Sequence, residues 1–97
     1  MSDVARRLVI RGRVQGVGYR HAAVQAAAES GVTGWVRNRG DGSVEAFVQG
    51  SSLAVEAFAA WCRRGPPLAR VTEVESEDAQ PDSAHERFEW RSSRNDG

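Results

Sequence analysis

The chain has 97 residues, a formal net charge of zero, 40% hydrophobic and 27% charged residues, and one cysteine, Cys62. That is the length of one domain with a modest core, and its composition lies outside the disordered range. No apolar run approaches the roughly 20 residues of a membrane span, and a lone cysteine rules out an internal disulfide and a cysteine metal cluster.

The N-terminal stretch lacks a signal-peptide layout, so a cytoplasmic protein without a membrane partner is expected. The neutral total hides an uneven spread. Residues 1–50 carry seven arginines against four acids, and residues 51–97 carry six against nine. The first half therefore suits a small anion. No broad basic surplus exists, so nucleic acid is not an expected partner. Every one of the 13 basic residues is arginine, a usage read here as compositional bias.

Residues 7–14 alternate, with Leu8, Ile10 and Val14 on one face and Arg7, Arg11 and Arg13 on the other. That pattern predicts a half-buried strand. Residues 19–30 read as a helix whose Ala22, Ala23, Ala26 and Ala27 allow close approach to a sheet, and Gly31 suits its C-terminal stop. A second strand follows over 32–38, a glycine-bearing turn over 39–42, and a third strand over 43–49. Ser51 or Ser52 can cap a second helix, in which Val55, Phe58, Ala59 and Cys62 form one apolar stripe. Gly65, Pro66 and Pro67 end it. Residues 69–77 read as a fourth strand, and its valines, Val71 and Val74, are three apart, which suggests a bulge. After a loop, residues 87–91 alternate Phe88 and Trp90 with charges, as a short edge strand does, and residues 91–97 are expected to fray.

The order β-α-β-β-α-β plus an edge strand predicts a ferredoxin-like α/β plait: an α+β fold with an antiparallel sheet and two helices on one face. The whole chain, 1–97, is expected to form one domain.

The segment Gly12 to Arg20 concentrates glycines where the first strand gives way to the first helix. It is not a dinucleotide fingerprint, because a motif starting at Gly16 would need glycine where His21 stands. Nor is it a P-loop, because Val17 occupies the second glycine position and the chain has no lysine. What remains is a short loop whose backbone N–H groups, from Gln15, Gly16, Val17, Gly18 and Tyr19, can converge as an anion nest. The helix start adds free N–H groups and partial positive charge. Arg20, in the first turn, can grip two oxygens of one phosphate. On the loop alone two readings stand: a one-phosphate cradle, or a tight turn with a solvated arginine.

Asn38 closes the second strand. Asparagine beside a turn often bonds local backbone. In the plait, however, the first and second strands run parallel on either side of the third, so their ends share one edge of the sheet. Loop 15–20 and Asn38 can thus face one site.

The stretches GRVQGVGYR and GWVRNRGDGSVE, taken together, resemble the acylphosphatases. The resemblance is dense from Leu8 to Val48 and rests on pattern beyond that. It implies metal-independent, cofactor-free hydrolysis of carboxyl–phosphate bonds in a ferredoxin-like plait. It also implies that Arg20 binds the phosphoryl group and that Asn38 positions the attacking water. The expected partner is a small-molecule acyl phosphate, with inorganic phosphate as product and inhibitor, acting on a monomer.

The chemistry suits these residues. A carboxylate leaving group departs without a general acid, so positioning and charge neutralisation dominate. His21 and His85 are read as solvated, Cys62 as a core residue, and Trp35 with Phe47 as a cross-strand aromatic pair. Two other functions compete with this one. One is a non-catalytic acyl-phosphate or phosphate-binding regulatory module, since similar domains occur fused to a carbamoyl-transferring hydrogenase-maturation protein. No partner domain stands in this sequence, which favours a free enzyme. The other is RNA binding, which shares the plait but needs spaced aromatics that residues 43–50 lack.

Overall fold

The computed structural model describes residues 3–92. In chain order these form β1 (Val4–Arg13), α1 (Tyr19–Ser30), β2 (Thr33–Asn38), β3 (Val44–Gly50), α2 (Ser52–Arg64), β4 (Arg70–Ala79) and β5 (Phe88–Arg91). The strands lie side by side in the order β4-β1-β3-β2-β5. β1 and β2 both pair antiparallel with β3, and β4 pairs antiparallel with β1. This is the ferredoxin-like plait with an added strand.

The sheet departs from the all-antiparallel expectation at one edge. β5 pairs parallel with β2, Val36 opposite Trp90 and Arg37 opposite Arg91. A four-residue run carries no sequence signal for its partner or direction. The long return from β4 through the 80–87 loop allows either sense. Gln49 anchors that loop: its Nε2 donates to the Asp82 carbonyl at 2.8 Å, and its Oε1 accepts from Asp82 N at 2.7 Å. Of the expected frayed end, Arg91 belongs to β5, and residues 93–97 lie outside the described residues.

The core lies between the sheet and the two helices. Leu8, Ile10, Val36, Val44, Ala46 and Val48 supply the sheet side and are fully buried. From the helices come Ala23, Ala26 and Ala27 of α1 and Val55, Phe58, Ala59 and Cys62 of α2. The alanines let α1 sit close to the strands. Phe58 fills the middle, its ring 5.2 Å from that of Phe88 and 6.0 Å from that of Trp61. Truncating such a side chain to alanine costs about 3–5 kcal/mol. Ser51 is the cap of α2: its Oγ accepts from Ala54 N at 3.1 Å, a contact worth about 1 kcal/mol.

The bulge foreshadowed by the spacing of Val71 and Val74 is present. Along β1 the partners step from Glu73 opposite Arg11 to Val71 opposite Gly12, so Thr72 is left over. A Cβ on Gly12 would lie 2.1 Å from the Arg70 carbonyl oxygen, so the tightened backbone admits only glycine there.

The helix-free face of the sheet is a ladder of charge and aromatic side chains. Glu45, nearly inaccessible, sits between Arg7 and Arg37, and Arg11 pairs with Glu75 at 2.6 Å. Trp35 and Phe47 stack across β2 and β3 at 6.3 Å. His85 is half-buried, with its ring 5.3 Å from that of Phe47, where a solvated side chain was expected.

Candidate active site

Three strands that run the same way, β1, β2 and β5, end at one edge of the sheet, since β1 and β2 share their sense against β3 and β5 is parallel to β2. At that edge a cleft of about 250 Å³ opens. Val14 beyond β1, Asn38 at the end of β2 and Trp90 on β5 form its sheet side. Gly16, Gly18 and Arg20 form the opposite side. Both residues singled out from the sequence, Arg20 and Asn38, therefore line one cleft.

The turn between β1 and α1 depends on two glycines. Gly16 has φ 75° and Gly18 has φ 78°, both left-handed, while among the described residues no non-glycine residue adopts a positive φ. A Cβ would meet nothing within 4 Å at either position, so the constraint there is backbone conformation and not crowding. Gly18 is also the N-cap of α1, and no side chain caps that helix end. The first turn of α1 contains no acid. The contrast with α2, capped by Ser51, is direct: one helix start is closed by its own side chain, and the other leaves N–H groups open at the cleft.

The remaining loop residues contribute differently from one another. The Gln15 side chain turns away from the cleft. Its Nε2 donates to the Arg39 carbonyl at 2.8 Å and the Ser43 carbonyl at 2.9 Å, tying the loop to the β2–β3 turn. Val17 packs on the core. Tyr19 is buried, its hydroxyl donating to the Cys62 carbonyl at 2.8 Å and its ring 5.2 Å from that of Trp61. It pins the start of α1 to the end of α2, and burial raises its phenol pKa above the ordinary value. The Cys62 thiol, equally enclosed, is pushed up to about 12 by burial, so it stays a neutral core group. For Gln15, Val17 and Tyr19, only the backbone remains available to a ligand.

Arg20 is half-buried. Its Nη1 donates to the Arg91 carbonyl at 2.9 Å, and its Cζ lies 4.8 Å from the centroid of the Trp90 ring. Among the described residues, no side chain hydrogen-bonds the carboxamide of Asn38, which closes β2 opposite Val44. His21 is exposed beside Arg20, with its Nε2 3.5 Å from Gln25 Nε2. Among the described residues, no three His, Cys, Asp or Glu side chains gather as a metal-ligand cluster. Sequence reasoning missed Trp90 as a wall of this cleft. Its alternation with charged neighbours was visible, but its place beside β2 was not.

Residues 6–90 match the family model described as acylphosphatase. The chain belongs to the acylphosphatase family. An acylphosphatase of Paraburkholderia xenovorans is 54% identical over 80 residues, covering 82% of each chain. The crystal structure of acylphosphatase from Bacillus subtilis superposes with a TM-score of 0.86 at 33% identity, over 91% of this chain and 98% of that one. Full-length HypF, in a phosphate- and nucleotide-bound form, matches with a TM-score of 0.91 at 28% identity. That match covers 99% of this chain but only 13% of HypF. With curated acylphosphatases similar to it over most of its length, this member of the family is an enzyme. No helix among the described residues is long and apolar enough to cross a membrane.

Proposed function

We propose that the cleft hydrolyses the carboxyl–phosphate bond of small acyl phosphates, releasing a carboxylate and inorganic phosphate. The N–H groups of loop 15–19 and the Arg20 guanidinium hold the phosphoryl oxygens. The Asn38 carboxamide oxygen accepts a hydrogen bond from the attacking water and aims it at phosphorus. The bond from phosphorus to the acyl oxygen breaks as the water oxygen bonds to phosphorus. The electron pair leaves with the carboxylate, and the water proton passes to a phosphate oxygen of the substrate.

The observation that carries this reading is the meeting of Arg20, Asn38 and two left-handed glycines around one cleft. It is supported by the uncapped start of α1, where N–H groups and partial positive charge favour an anion. A loose phosphoryl-transfer transition state asks for positioning and for neutralisation of the charge on the equatorial oxygens, which this set supplies. A carboxylate leaves without protonation, so no general acid is required. The same set handles phosphomonoesters poorly, because their leaving groups are far more basic. The enzyme acts as a cytoplasmic monomer, needs no metal, and is inhibited by its product phosphate at the same cradle.

The test is hydrolysis of benzoyl phosphate by purified protein with and without EDTA. Turnover unchanged by the chelator is expected. Activity lost in EDTA and restored by magnesium would overturn the metal-free mechanism. Phosphate binding without turnover would favour the regulatory module instead.

A further inference from the structure

We propose that Trp90 is a positioning residue for Arg20: together with the Arg91 carbonyl it fixes the guanidinium in the cleft without cancelling its charge. The proposal rests on Arg20 being the phosphate grip. Two successive residues of β5 hold one side chain by different means. The Trp90 ring lies 4.8 Å from Arg20 Cζ, within cation–π range, and the Arg91 carbonyl accepts from Nη1 at 2.9 Å. Trp90 remains 54% exposed, so burial does not account for an indole at this position. Its contact with Arg20 in the cleft does.

The choice of partners matters. Arg6, Arg7, Arg11, Arg37 and Arg39 each lie within ion-pair distance of a carboxylate. Among the described residues, none lies within that distance of Arg20. A carboxylate would compete with the phosphate for the guanidinium. A carbonyl and a ring face restrict its rotamers and leave the charge and its other N–H donors free. The restriction is in place before substrate arrives, so less freedom is lost on binding. β5 can do this because it is parallel to β2: Trp90 sits beside Val36, two residues before Asn38.

The experiment measures phosphate inhibition and turnover of benzoyl phosphate and acetyl phosphate in Trp90→Leu, Trp90→Phe, Arg20→Ala and the Arg20→Ala/Trp90→Leu double variant. Thermal unfolding of each confirms that it folds. Trp90→Leu is expected to weaken phosphate inhibition about threefold, the scale of a partly exposed cation–π contact. It should lower kcat/KM for both substrates by a similar factor. Trp90→Phe, which keeps a ring face, should recover most of the loss. In the Arg20→Ala background, Trp90→Leu should add nothing. An equal loss in that background would make Trp90 a general structural residue and overturn the proposal. So would an altered preference between the two substrates with phosphate inhibition unchanged, which would make Trp90 a wall for the acyl group. If Arg20→Ala alone leaves phosphate inhibition intact, Arg20 is not the grip and both readings fall. If Arg20→Ala weakens it and Trp90→Leu does not, the positioning role alone is lost.

Discussion

On the open face of the sheet, Arg7 and Arg37 flank Glu45, and Arg11 meets Glu75 and Asp41. At the mouth of the cleft, Arg20 meets a carbonyl and an indole. The side chain is the same and the partners differ in charge. A carboxylate neutralises the guanidinium and links neighbouring strands across the ladder. A neutral clamp fixes its place and leaves its field directed at whatever enters the cleft. Between these two regions, the partners of the arginine, more than its presence, separate a cation in an ion pair from one available to a phosphate. Removing arginines from the two regions in turn is the most direct way to break this comparison.

Arg20→Ala should lower kcat/KM for benzoyl phosphate on the order of 1,000-fold, the scale on which positioned cations and transition-state donors act. Its phosphate inhibition should weaken as well. Arg11→Ala removes surface pairs with Glu75 and Asp41 and should leave turnover within about twofold, with little change in stability. Comparable losses in the two variants, measured by steady-state kinetics, would mean that the division is not real.

Asn38→Ala should lose on the order of 100-fold in kcat while keeping the inhibition constant for phosphate close to that of the parent. Asn38 is proposed to hold water and Arg20 to hold phosphate, so the two variants should separate turnover from anion binding. Circular dichroism checks that the β2–β3 turn survives. Normal turnover in the folded variant would return Asn38 to a turn-capping role. Much weaker phosphate inhibition would place it in the cradle.

The two regions were not equally legible in the sequence. Alternation at Leu8, Ile10, Val44, Ala46 and Val48 marked the helix-covered face, and all five are buried. The stripe from Val55 to Cys62 marked the buried side of α2. The glycines and Arg20 were legible because a left-handed loop and an uncapped helix start leave few residue choices. Asn38 became meaningful through topology, which places the ends of two parallel strands together, and its expected role came from the family resemblance. The clamp on Arg20 was not legible. It depends on β5 lying parallel to β2, and no local pattern in Phe88–Arg91 states which strand it will join. The inward turn of Tyr19 was hidden for a similar reason, because its partner, the Cys62 carbonyl, lies on another helix.

The open face should fail through stability and not through turnover. Burial pushes the Glu45 carboxyl pKa upward, and hydrogen bonds from Arg37 and Arg7 overcome that, so it lies below its ordinary value. Glu45→Gln leaves two arginines facing a neutral amide. A broken buried pair costs about 3–5 kcal/mol. Arg7 and Arg37 both reach solvent, so about 2 kcal/mol is expected here. That corresponds to a fall in Tm of about 10 °C for a chain of this size. Activity at 25 °C should persist in the fraction that is folded. An unchanged Tm would show that packing alone sets the register of β1, β3 and β2.

The smallest effect is expected at Asp41, which faces solvent in the β2–β3 turn and belongs to the charge ladder through Arg11. Its Oδ1 accepts from Ser43 Oγ at 2.5 Å and Ser43 N at 3.0 Å. These bonds, ahead of the nearby Arg39 and Arg11, hold its carboxyl at about 2 against an ordinary 3.8. A depressed carboxyl pKa means that the folded chain takes up this proton less readily than the unfolded chain. The stabilisation is therefore fully present well above 3.8 and is lost as pH falls through about 2. Other carboxylates titrate nearby, so the informative quantity is a difference. Urea midpoints of the parent and of Asp41→Asn should be separated by a constant gap above about pH 5, narrow below it and converge only below about pH 2. A gap that stays constant down to pH 2 would show that the Ser43 hydrogen bonds do not couple this carboxylate to folding. The ladder would then owe its acid sensitivity to Glu45.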